Sequence, residues 1–122
     1  MTLRIGSIVI GAADVQRAVQ FWCAALAYRP RDEPESDWAV LVPADGEAPN
    51  LSIAKTDEVA PAEPRTHLDL YTARPVSEIA RLRSLGAVLI DWPHYPDAPD
   101  FTVLADPEGN RFCVIDKSGG SR

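Results

Sequence analysis

The chain has 122 residues, 46% hydrophobic and 25% charged, the proportions of an ordinary soluble globular domain rather than a disordered or fibrous chain. At this length folding buries roughly two-thirds of the unfolded surface, so one domain (residues 1–122) with a core needing neither disulfide nor structural metal is expected. Twelve basic against eighteen acidic residues leave a net charge of −6. With no basic stripe to release counterions, nucleic acid and anionic membrane surfaces are not expected partners. The longest apolar run is the eight residues 21–28, far short of the roughly 20 that span a bilayer. The first residues lead into strand-like sequence without the regions of a signal peptide, so a cytoplasmic location is expected. There, Cys23 and Cys113 are expected to be two free, buried thiols.

In chain order, residues 4–10 are rich in Ile and Val and read as a strand, and Asp14 opens a helix as its N-cap. Val15, Ala18, Val19, Trp22 and Leu26 recur at helical spacing and form the sheet-facing stripe, while Gln16, Arg17 and Gln20 face water. The helix should end near Ala27. Residues 28–31 read as an edge strand, and 38–42 and 51–54 as short strands with a turn at Gly46 between them. Residues 56–64, carrying Pro61 and Pro64 among Asp, Glu and Ala, suit an exposed linker between modules of about 3–55 and 65–116.

The order of events then repeats. Residues 66–71 alternate as a half-buried strand, and Pro75 stands where the first turn of a helix tolerates proline. Val76, Ile79, Ala80 and Leu82 supply an apolar stripe and Gly86 a C-terminal cap. Strands are expected at 87–91, 101–105 and 111–115. A shift of 60 residues lays Ser7-Ile8-Val9-Ile10 on His67-Leu68-Asp69-Leu70, and a shift of 63 lays Trp38-Ala39-Val40-Leu41-Val42 on Phe101-Thr102-Val103-Leu104-Ala105. Each half is a β-α-β-β-β unit that covers one sheet face with its own helix and leaves the other face to be covered. The segment Asp106-Pro107-Glu108-Gly109-Asn110 is turn chemistry: Pro107 presets φ, Gly109 and Asn110 supply positive φ, and Asp106 accepts from amides ahead.

Together these residues resemble the vicinal oxygen chelate superfamily, specifically its small glyoxalase-like members related to bleomycin-resistance proteins. The marks are residues 7–14 followed by Ala18, Phe21 and Trp22; the run 67–70; Leu85-Gly86-Ala87; and the run 106–113. The resemblance implies an α+β fold of two βαβββ modules forming a cupped mixed sheet, a small-molecule cavity between the modules and, often, a homodimer.

It also implies a metal site in some relatives, with ligands on the first and last strands of each half. The first-strand position, seven residues before Asp14, is Ser7, and a hydroxyl is a poor ligand for a divalent ion. Its counterpart His67 is the one ligand type retained. The last-strand position of the second half, seven residues after Asp106, is Cys113, and that of the first half is Ser52 or Ala54. Asp69, two residues beyond His67, is the candidate third donor. The set is too short for a closed site, so no metal or other cofactor is expected.

The expected pocket groups are Ser7, Trp38, His67, Asp69, Tyr71, Trp92 and Cys113, a few polar groups on apolar walls that suit a small organic molecule. His67 with Asp69 can act as a general acid or base, and Cys113 with His67 can be read as nucleophile and base. Residues 91–100, stiffened by Pro93, Pro96 and Pro99, are either a plain surface loop or a roof carrying Trp92, His94 and Tyr95. The expected function is metal-independent binding of a small aromatic or amphipathic molecule, bleomycin-type sequestration being one use the resemblance suggests. The alternatives are a metal-dependent lyase, isomerase or dioxygenase of the superfamily built on His67 and Asp69, and an interaction domain with a vestigial cavity.

Overall fold

A computed structural model describes residues 2–119, and the chain divides into two compact units, Met1–Val59 and Ala60–Arg122. In the first, β1 (Ser7–Ala12) starts and ends later than the 4–10 expected. Its extent is set by its parallel partner β4 (Asn50–Lys55), whose ladder runs from Ser7↔Asn50 to Ala12↔Lys55 and draws Gly11 and Ala12 into the strand. The Asp14 carboxylate accepts the Arg17 N–H at 3.1 Å and starts α1 (Val15–Leu26), which buries Val15, Ala18, Val19, Phe21 and Trp22. Phe21 and Trp22 meet edge to face at 4.9 Å, the arrangement favoured by ring quadrupoles. The helix stops because Ala27 turns left-handed, φ 57°, and its N–H returns to the Cys23 carbonyl.

The remaining strands are β2 (Tyr28–Pro30) and β3 (Trp38–Pro43), giving the order β1-β4-β3-β2. Leu41, Leu51 and Ile53 lie on the buried side of this sheet, and α1 packs on β2, β3 and β4. Cys23 is free but only half-buried, not buried as expected, since it lies off the stripe that faces the sheet.

The second unit repeats the plan with β5 (Leu68–Thr72), α2 (Pro75–Ser84), β6 (Val88–Leu89), β7 (Phe101–Ala105) and β8 (Arg111–Asp116), in the order β5-β8-β7-β6. Pro75 occupies the first turn of α2 as expected, but the stripe differs. Val76 is 85% exposed and Ala80 is exposed, while Leu82 is buried and Pro75 and Ile79 are half-buried. The covered positions run 75, 79, 82, one notch from the expected run, because the proline ring itself opens the apolar face. Gly86 follows the helix at φ +119°, where an added Cβ would also meet the Pro107 ring at 3.2 Å.

The 106–110 turn is held from its first residue. Asp106, 2% exposed, accepts from the Glu108 and Asn110 N–H groups at 2.9 and 2.8 Å and from the Asn110 side-chain amide at 3.1 Å. Gly109 alone supplies the positive φ, +90°; Asn110 does not, its side chain being tied to Asp106 instead. The strand expected at 87–91 shortens to β6, after which the chain leaves the sheet and the Val103 N–H bonds the Tyr95 hydroxyl at 2.8 Å.

The sequence repeat becomes a shared register. Val9 pairs with Ser52 and Ser52 with Val40; Asp69 pairs with Cys113 and Cys113 with Val103. Each unit is thus an α+β layer pair whose sheet has one helix-covered face and one face its own helix leaves open. Among the described residues no helix is long and apolar enough to cross a membrane.

Candidate functional site

Strand alternation decides which side chains reach the open face of the second sheet. On the central strand β8 they are Arg111, Cys113 and Ile115, since Phe112 and Val114 point to the helix side and are buried. Register then places Asp69 and Val103 beside Cys113, and Tyr71 and Phe101 beside Ile115. His67, one residue before the Leu68↔Phe112 pair, falls beside Arg111. These side chains, with Trp92, Pro64 and Lys117, line an open concavity of about 480 Å3. Its floor is polar at the Arg111 end and aromatic at the Ile115 end.

At the polar end the His67 Nε2 and an Asp69 carboxylate oxygen lie 2.9 Å apart, both side chains about half exposed (44% and 47%). Cys113, 8% exposed, completes a trio whose donor atoms all lie within 4.8 Å of one another. Burial first, and the Asp69 charge second, push the Cys113 thiol up to about 11. It is therefore a protonated thiol at neutral pH, which withholds the thiolate that a nucleophile requires.

The corresponding place in the first unit is chemically different. Ser7 and Ser52 hydroxyls bond each other at 2.6 Å, which settles Ser52 rather than Ala54 as the counterpart of Cys113. They line a separate concavity of about 440 Å3 with Trp38 and Arg31. Two mutually satisfied hydroxyls are poor donors for a divalent ion. What remains is three donors on one unit, His67, Asp69 and Cys113, one short of a closed tetrahedral set.

At the aromatic end the Lys117 ammonium sits 4.4 Å from the Tyr71 ring centroid, within cation–π range. Trp92 enters from the 91–100 loop and meets His94 edge to face at 5.1 Å. His94, without a partner readable in the sequence, lies 3.3 Å from Glu63. That contact joins the loop to the 56–64 stretch, so two connections flank the concavity, with Trp92 and Pro64 at its edge.

Of the expected pocket residues, His67, Asp69, Tyr71, Trp92 and Cys113 come together on the second unit; Ser7 and Trp38 share the first unit's concavity. Arg111, Phe101, Ile115 and Lys117 also line the second unit's site and were not anticipated. Counting by twos along β8 from Cys113 would have found three of them, and the Trp38-to-Phe101 shift the fourth.

Comparison with known proteins agrees with this layout. The glyoxalase-like domain family matches residues 7–115, and no curated protein matches the chain. A glyoxalase/bleomycin resistance protein/dioxygenase family enzyme from Burkholderia phytofirmans superposes with a TM-score of 0.72 at 15% identity, over 93% of this chain and 98% of the other. A possible glyoxalase from Bacillus cereus gives 0.66 at 20% identity, over 93% and 99%. The bleomycin-binding protein of Streptomyces verticillus, solved with copper(II)-bleomycin, gives 0.61 at 21% identity, over 95% and 98%. Two βαβββ units in shared register, the Asp106 turn and a match spanning nearly the whole chain lead to one conclusion: the protein belongs to the glyoxalase-like domain family of the vicinal oxygen chelate superfamily.

Proposed function

We propose that the protein binds a small aromatic or amphipathic molecule on the open face of its second unit, without a resident metal ion. The carrying observation is the graded floor of the 480 Å3 concavity, from His67, Asp69, Arg111 and Cys113 to Tyr71, Ile115 and Phe101. Apolar walls with a few converging polar groups are what small-molecule sites offer. The structural likeness to a protein that binds copper(II)-bleomycin supports binding as a use of this fold. Two free thiols support a reducing, cytoplasmic setting. Exposed Val9, Trp38 and Tyr71 on the open faces support self-association as a homodimer.

The test begins with elemental analysis of protein purified without chelator or affinity tag, followed by titration with iron, manganese, nickel and zinc. The expected outcome is metal well below one equivalent, unchanged by His67→Ala. Near-stoichiometric metal that His67→Ala removes would overturn metal independence and direct attention to a His67, Asp69 and Cys113 centre. In parallel, a thermal-shift screen of small aromatic compounds should raise the melting temperature, by mass action on the folded state. Trp92→Ala should weaken any such binding by about fivefold or more while the fold survives.

A further inference from the structure

We infer that the occupant of the second unit's concavity is an anion, specifically a planar aromatic carboxylate whose acid group meets Arg111 and whose ring lies against Tyr71, Ile115 and Phe101. The inference rests on the binding reading above and adds the charge and orientation of the ligand.

The argument is one of partners. Asp69 is engaged by His67 at 2.9 Å, so the carboxylate at the polar end already has its hydrogen-bonding group. Arg111 has no such complement. Its Nη1 donates to the Gly109 carbonyl at 3.2 Å, its Nε is buried without an acceptor, and it forms no ion pair among the described residues. A half-buried guanidinium with a carbonyl as its one acceptor leaves a positive charge in a partly desolvated wall, which an incoming carboxylate offsets with charge-assisted hydrogen bonds. Asp100 and Lys117 place one charge of each sign at the opposite end, so they do not reverse the sign at the polar end.

Geometry sets the rest of the ligand. Arg111 and Ile115 are four residues apart on one strand face, about 13 Å between their Cα atoms. A bicyclic ring system with an acid group spans that interval. The aromatic end receives it on Tyr71 and Phe101, which flank Ile115 in register. A cationic ligand entering the same way would bring its charge against Arg111.

The experiment titrates the full-length protein at pH 7 with 2-naphthoate, 2-naphthamide and 2-naphthylmethylammonium, followed by amide NMR shifts. The acid should bind at least tenfold more tightly than the amide, and the cation more weakly than either. Arg111→Gln should erase the acid-over-amide preference, and amide resonances away from the concavity that match the wild type show that the variant is folded. Equal affinity for acid and amide, preference for the cation, or a preference that survives Arg111→Gln would overturn the anion assignment and leave the binding reading standing. If none of the three shifts resonances of the concavity, the binding reading fails and the assignment falls with it.

Discussion

Cys113 shows how one residue's surroundings decide between chemistries that its identity leaves open. Burial, and then the Asp69 carboxylate beside it, push the Cys113 thiol from 9.0 up to about 11. Because the folded state binds this proton more tightly than the unfolded state, the associated stability is intact below pH 9 and is lost as pH rises from there through 11. Native-state alkylation by iodoacetamide, followed at the Cys113 peptide, should run about 100-fold slower at pH 8 than for an ordinary thiol and accelerate between pH 9 and 11. Asp69→Asn should move that acceleration to lower pH by removing the neighbouring charge. Fast alkylation of native protein at pH 8 would restore the nucleophile reading. His67 and Asp69 were readable in the sequence because i, i+2 spacing on a strand puts both on one face; Arg111 was not singled out, because the turn before it explained the local residues without it.

Elements were readable where a boundary has a chemical cause. Asp14 caps α1, Pro75 opens α2 and Gly86 follows its end, each where the residue type requires it. Periodicity alone was weaker: in α2 it could not tell Val76 from Pro75 as the start of the covered face, and past β6 it ran on where only the Ile90 N–H still reaches β7 and the Val103 N–H takes the Tyr95 hydroxyl. A costly boundary is Ala27, whose φ of 57° puts a Cβ into the left-handed region. Ala27→Gly should therefore stabilise the protein by about 1 kcal/mol, read as a higher urea midpoint at unchanged slope. No change in midpoint would mean that glycine's greater freedom in the unfolded chain cancels the relief.

At the scale of the whole molecule, the duplicated plan was visible as two residue shifts, and the register turns those shifts into matching ladders. The halves already differed in sequence at their equivalent polar positions, and the structure gives the outcome: a hydroxyl pair in one and an imidazole, carboxylate and thiol in the other. The two cysteines belong to different units and are both free, so reductant should leave the melting temperature unchanged; a drop on adding dithiothreitol would reveal a cross-link. The central place of β8 carries a last implication. Phe112 and Val114 anchor the core on one side while Arg111, Cys113 and Ile115 line the concavity on the other, so its floor cannot be re-contoured without disturbing the fold. The rim obeys no such restriction: the stretches bearing Pro64 and Trp92 run outside the sheet, and the mouth of the concavity can be reshaped there, by loop exchange, with the foundation left alone.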